Sequence, residues 1–125
     1  MKNLTKKVLV NLIEELKRYP EVVGVYLFGS YVKNTTTPLS DIDIAVILKD
    51  PDPKKEADIG SIYSEKIDLV LFHKLPLHIK FEVLKFGKEI FVKDEEYLFE
   101  LKLKVLKEYL ETRWLYERIK SEVLK

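Results

Sequence analysis

Three short apolar runs constrain this chain more than any other feature: VVGVYLF at 22–28, IDIAVIL at 42–48 and KIDLVLF at 66–72. Each is compact, rich in β-branched and aromatic residues, and bounded by polar or turn-forming segments. Runs of that length and composition read as β-strands. A chain that carries them must build a sheet and then cover it. The covering elements are also legible. Leu4, Val8, Leu9, Leu12, Ile13 and Leu16 recur at helical spacing, and Pro20 ends that helix near Tyr19. Leu77 to Phe86 reads as a helix between Pro76 and Gly87, and Glu89 to Val92 as a short fourth strand. Asp94 to Lys125 holds no Gly or Pro and reads as one long helix. Lys49 to Ser61 (KDPDPKKEADIGS) reads as a loop, and so does Thr35 to Ser40, with a short helix expected at Tyr31 to Asn34. The expectation is a single domain over residues 1–125 of α/β (α+β) class. It is a small mixed sheet of three to four strands, with helices on one side and a long C-terminal helix.

Composition narrows the function classes. The net charge of +1 leaves no basic footprint for direct contact with nucleic acid. With no Cys, disulfides and thiolate metal sites are excluded. No apolar run approaches the roughly 18 residues of a membrane-spanning helix. The N-terminus alternates charged and apolar residues where a signal peptide would be unbroken. A cytoplasmic protein with no membrane contact is the expectation.

The chemistry sits at the starts of the second and third strands. Asp41 and Asp43 are two residues apart, so along an extended chain they point to one face, roughly 7 Å apart. Two carboxylates so placed repel each other, and a divalent cation removes the conflict. Hard oxygen ligands with waters and phosphates are the usual Mg²⁺ arrangement. Asp68 stands likewise near the start of the third strand. If that strand lies beside the second, three carboxylates converge as a two-metal site for phosphoryl or nucleotidyl transfer requires. Gly29-Ser30 follows the first strand directly. Glycine permits a tight turn, and exposed N–H groups there form an anion site. Taken singly, GS is a common turn and DxD a common solvated strand start; their order and spacing carry the information. The segment is not an EF-hand loop, because Ala45, Val46 and Ile47 occupy positions that need ligands and a glycine. It is not a P-loop, because no Gly-Lys-Ser/Thr follows Gly29.

Gly29-Ser30, ten intervening residues and then Asp41-Ile42-Asp43, with an apolar strand on each side, resembles the signature of the DNA-polymerase-β-type nucleotidyltransferase superfamily. The small size most resembles its minimal nucleotidyltransferases, the MNT family. Residues 22–72 carry the resemblance, as the catalytic core of a nucleotidyltransferase fold, and residues 94–125 match only as a terminal helix. It implies that Asp41, Asp43 and Asp68 are catalytic and hold two Mg²⁺ ions, with Asp68 helping to deprotonate the acceptor hydroxyl. It implies that Gly29 and Ser30 hold the ATP β- and γ-phosphates while the acceptor attacks the α-phosphorus. The family pattern Gly-Ser-x-Ala-Arg-Gly stands here as Gly29, Ser30, Tyr31, Val32, Lys33, Asn34. Lys33 keeps the charge of a nucleotide-binding position but loses the bidentate fork of arginine. MNT proteins commonly pair with a HEPN-domain RNase toxin and neutralise it by moving AMP from ATP to a toxin tyrosine. The resemblance therefore implies a HEPN partner and an antitoxin role.

Competing readings are a protein that neutralises its partner by occlusion without catalysis, and an adenylyltransferase acting on a small molecule such as an aminoglycoside. The long helix bears on the choice, because it carries two apolar stripes. Leu98, Leu101, Val105, Tyr109, Tyr116, Ile119 and Val123 share one face, and Leu103, Leu106, Leu110 and Trp114 another. One stripe should pack on the sheet. The second is either wrapped into the core or covered by a partner, in a homo-oligomer or a hetero-complex. His73 could reach the site from the end of the third strand, but the simpler reading makes His73 and His78 ordinary surface or packing residues. Tyr97, Tyr109 and Tyr116 read as core or interface, because no basic groove accompanies them.

Overall fold

The central strands are apolar at odd and even positions alike, so both faces of the sheet have to be covered. The computed structural model describes residues 3–29, 42–62 and 67–123. Its elements in order are α1 (Asn3–Lys17), β1 (Val22–Phe28), β2 (Ile42–Leu48), α2 (Pro53–Gly60), β3 (Ile67–Leu71), a 3₁₀ turn (Phe72–Lys74), α3 (Leu77–Phe86), β4 (Lys88–Val92) and α4 (Glu95–Val123). The strands form one mixed sheet in the order β3-β2-β1-β4. β1 runs antiparallel to β2 and β4, and β2 runs parallel to β3.

Side-chain alternation divides the core in two. On one face Val22, Val25 and Leu27 of β1 and Ile42, Ile44, Val46 and Leu48 of β2 pack with Leu9, Leu12 and Leu16 of α1 and Ile59 of α2. On the other face Val23, Tyr26, Ala45 and Ile47 pack with Phe72, Val83 of α3, and Leu98 and Val105 of α4. The α/β class and the four-stranded mixed sheet stand. The expectation of helices on one side is corrected, because α1 and α2 cover one face and α3 and α4 the other. The physical reason is already in β2: five of its seven residues are apolar and buried to the two sides after Asp43, with no polar face left for water.

A second correction concerns Lys49 to Ser61, expected as a loop. Residues 53–60 of it are α2. Pro53 stands where the first helical turn needs no N–H, and the Asp52 side chain accepts from the Lys55 N–H at 2.8 Å. The prolines read as breakers are thus part of a helix start.

Two glycines are forced by contact. A Cβ on Gly24 would lie 2.9 Å from the Phe91 carbonyl of β4. Gly87 ends α3 with extended backbone, not a left-handed cap, and a side chain there would strike the Val83 and Leu27 carbonyls. Buried Tyr26 faces Glu89 across the β1/β4 ladder and donates to it at 3.1 Å. Burial first, then the Glu89 charge, pushes its phenol well above the usual tyrosine range, so it stays neutral. Lys93 donates to the carbonyls of Lys17 (3.1 Å) and Tyr19 (2.5 Å), which closes the open end of α1. Among the described residues no helix is long and apolar enough to cross a membrane.

Candidate functional site

β1 ends where β2 and β3 begin, and that end of the sheet gathers the candidate chemistry. Phe28 is the register partner of Asp43 in the antiparallel β1/β2 ladder. The chain then turns at Gly29, with φ of 82°. That left-handed backbone disfavours any L side chain. Space forbids one as well: a Cβ on Gly29 would sit 2.5 Å from Oδ2 of Asp43. The glycine is therefore required twice, once by torsion and once by the carboxylate against it.

Asp43 and Asp68 are register partners in the parallel β2/β3 pair. Ile42 and Ile44, and Ile67 and Leu69, pack into the α1/α2 face, so by alternation both aspartates lie on the α3/α4 face. Adjacent strands are about 4.8 Å apart, so the carboxylates are neighbours. Asp43 is partly buried and Asp68 exposed. The expectation that the third strand lies beside the second holds. Ser30, Lys33 and Asp41 lie outside the described residues, as does the short helix expected at Tyr31 to Asn34. Among the described residues no group of three or more carboxylate, His or Cys side chains comes together as a metal site; Asp43 and Asp68 are two. As hard oxygen donors side by side on one rim, these two fit a divalent cation of the Mg²⁺ type.

His73 belongs elsewhere. It follows the far end of β3, where its Nε2 lies 3.2 Å from Oε1 of Glu56, and Lys74 donates to the same oxygen at 3.1 Å. The bonds from His73 and then Lys74 hold the Glu56 carboxyl below the usual range. His78 is exposed on α3. A cavity of about 180 Å³ adjoins His73 between Leu48, Phe72, Tyr97 and Lys104, at the opposite end of β2 from Asp43.

A cavity of about 150 Å³ does adjoin the site. Phe28 and Gly29 form one wall and Ile79, Glu82, Val83 and Phe86 of α3 the other. Sequence reading passed over it. The available signal was Glu82, a carboxylate inside the i, i+3, i+4, i+7 series 79, 82, 83, 86 that is otherwise apolar.

Comparison with known proteins agrees with this arrangement. A Methanocaldococcus jannaschii chain named as a protein adenylyltransferase is 42% identical over 71 residues, and the match spans 57% of each chain. A crystal structure of a toxin–antitoxin with AMP-PNP superposes with a TM-score of 0.64 at 25% identity, over 92% of this chain and 98% of that one. The tri-AMPylated Shewanella oneidensis HEPN toxin in complex with MNT antitoxin gives a TM-score of 0.62 at 22% identity over the whole of both chains. At that identity the second likeness bears on the fold alone. The family described as Polymerase beta, Nucleotidyltransferase matches residues 10–96, which contain the sheet, the Gly29 turn and both aspartates. By that match over more than two thirds of its length, the chain belongs to the polymerase β-type nucleotidyltransferase family.

Proposed function

We propose that this chain is a Mg²⁺-dependent protein adenylyltransferase that moves AMP from ATP to a tyrosine hydroxyl of a HEPN-type RNase toxin, and so acts as its antitoxin. The observation that carries the reading is the Gly29 turn closed against Asp43, with Asp68 in register beside it. The adenylyltransferase name of the Methanocaldococcus relative and the toxin–antitoxin neighbours support it. Residues 1–125 serve as one domain, with the catalytic core at 22–72.

In this reading Asp41, Asp43 and Asp68 hold the metal ions, and Gly29, Ser30 and Lys33 hold the triphosphate. Bound Mg²⁺ supplies charge stabilisation on the attacking and leaving oxygens. Asp68, exposed at the sheet rim, accepts the proton of the acceptor hydroxyl. The tyrosine oxygen forms its bond to the α-phosphorus as the bond to the β-phosphate oxygen breaks and pyrophosphate leaves. Gly29 keeps the backbone close to the phosphates because no side chain intervenes. The test is incubation of chain, labelled ATP, Mg²⁺ and the toxin encoded beside it. Label should reach the toxin, and Asp43→Asn should lower transfer by about 100-fold or more. No label on the toxin, or undiminished labelling by the variant, overturns the reading.

The occlusion reading draws on α4. Leu110, Trp114, Tyr116 and Ile119 are 54%, 61%, 63% and 54% exposed on the free chain, an apolar surface offered to a partner. Neutralisation that survives Asp43→Ala combined with Asp41→Ala would favour occlusion over catalysis.

A further inference from the structure

We propose that the cavity at the C-terminal end of β2 binds a small organic acid, whose acid group is held by Lys80, Lys104 and Tyr97. The inference is independent of the nucleotidyl-transfer reading and concerns a different place on the sheet.

The cavity lies where β2 ends, at Ile47 and Leu48, about 16 Å along the strand from Asp43. Ala45 stands between the two places on the same face and is fully buried, so no groove along β2 joins them. Ile47 and Phe72, with Leu101 and Val105 of α4, give the cavity an apolar floor. Its polar groups come from three elements: Lys80 from α3, Tyr97, Lys104 and Glu108 from α4, and His73 from the turn after β3.

The donors are unspent. The Tyr97 hydroxyl oxygen accepts the Asp50 N–H at 3.1 Å, and a hydroxyl used as acceptor keeps its own proton to donate. The turn that supplies this N–H is itself fastened. Asp50 has a left-handed φ of 45°, and Lys55 donates to the carbonyls of Lys49 and Asp50 at 2.9 and 3.0 Å. Tyr97 is thus a donor held in place. Lys80 is half-buried, with Nζ 6.0 Å from the centre of the Phe72 ring, and Lys104 is exposed. Neither lysine has an ion-pair partner among the described residues. His73 differs, because its Nε2 is already set 3.2 Å from Glu56.

That set selects a class of ligand. Two ammonium groups and a hydroxyl donor suit a group that only accepts, and a carboxylate is such a group. The apolar floor calls for an apolar body attached to it. At about 180 Å³ the space is below the roughly 300 Å³ at which drug-sized pockets begin, so the body is one ring or a short branched chain. Glu108 is the one acidic lining residue. Set against the two lysines it leaves a single positive charge, with His73 neutral, which matches a singly charged acid rather than a phosphate dianion.

The probe is benzoate, titrated into the isotope-labelled full chain and followed by amide NMR shifts. Saturable shifts should appear at Phe72, Leu101 and Val105, with a Kd of about 1 mM or tighter. Benzyl alcohol has the ring without the charge, and acetate the charge without the ring; each should bind at least about tenfold more weakly. Lys80→Ala combined with Lys104→Ala should weaken benzoate about tenfold, and Tyr97→Phe, which keeps the ring, about threefold. Glu108→Ala should tighten it about threefold, a gain that general loosening of the fold would not give. A titration without saturable shifts overturns the inference. So do equal binding of benzyl alcohol, an undiminished affinity in the double lysine variant, and shifts confined to Gly29 and Asp43.

Discussion

At residue scale, Gly29 and the Asp43–Asp68 pair are under opposite kinds of stress. Gly29→Ala places a Cβ in left-handed backbone, at a cost of about 1–2 kcal/mol, and drives it into the Asp43 carboxylate. Urea unfolding should register that loss, and AMP transfer should fall with it. The aspartates are like charges directly opposite in a ladder, which destabilises a sheet by roughly 0.2–1 kcal/mol. Asp68→Asn should therefore raise the stability of the metal-free chain by about that amount while removing transfer. Titrating Mg²⁺ during thermal unfolding should stabilise the wild-type chain more than the variant. Asp94 gives a pH-dependent case. Its carboxylate accepts the Tyr97 N–H at 3.0 Å and pairs with Lys49, and those contacts hold its pKa below the usual value. A depressed acid contributes stability above its unfolded pKa and loses it as pH falls through the folded value. The wild type should weaken below about pH 4. Asp94→Asn keeps an acceptor for Tyr97 but cannot titrate, so its urea midpoint should vary less across that range.

At element scale, α2 and α4 show how local chemistry and packing divide the work. α2 is short, and its start depends on Asp52 and Pro53. Asp52→Ala should cost about 1 kcal/mol in urea unfolding, the usual loss for a removed N-cap. α4 is held only along its first half. Leu98 and Val105 are buried and the Tyr109 ring stacks on Phe81 of α3 at 3.9 Å, whereas every residue from 110 to 123 is exposed. Its 29 residues span about 43 Å, longer than the sheet it crosses. One of its two stripes was expected to pack on the sheet; the stripe from Leu98 to Val123 does so only through its early members, Leu98 and Val105, while Tyr116, Ile119 and Val123 are exposed. A chain ending at Glu111 should thus unfold within about 0.5 kcal/mol of the full chain.

At the scale of the whole molecule, the family match ends at residue 96, just after α4 begins, and α4 splits into a first half that buries Leu98 and Val105 in the core and an exposed second half. In the proposed antitoxin the exposed second half meets the toxin. Trp114 is the only tryptophan and is 61% exposed. Its fluorescence should shift to the blue when the toxin binds. Trp114→Ala should leave the unfolding midpoint unchanged while weakening the complex by about 2 kcal/mol, as for an aromatic interface anchor.

Strand positions, the main helices and the order of Gly29, Asp43 and Asp68 were legible because each depends on nearest neighbours: β-branched runs, helical spacing, and glycine before a turn. Lys49 to Ser61 was misread for a local reason, since a proline can either stop a helix or stand in the first turn of one, and Pro53 does the second. The rest could not be local. Parity within β2 stated that both faces are apolar, yet which helix covers which face depends on strand order, and that is decided by long-range pairing. The sequence by itself determined a sheet with carboxylates at its rim and a glycine turn beside them. Only the tertiary structure put Asp68 in register with Asp43, sent His73 to the far end, and laid the Glu82 face of α3 against Gly29. Those neighbours are brought together by burial of two apolar faces, a property of the assembled sheet rather than of any one segment.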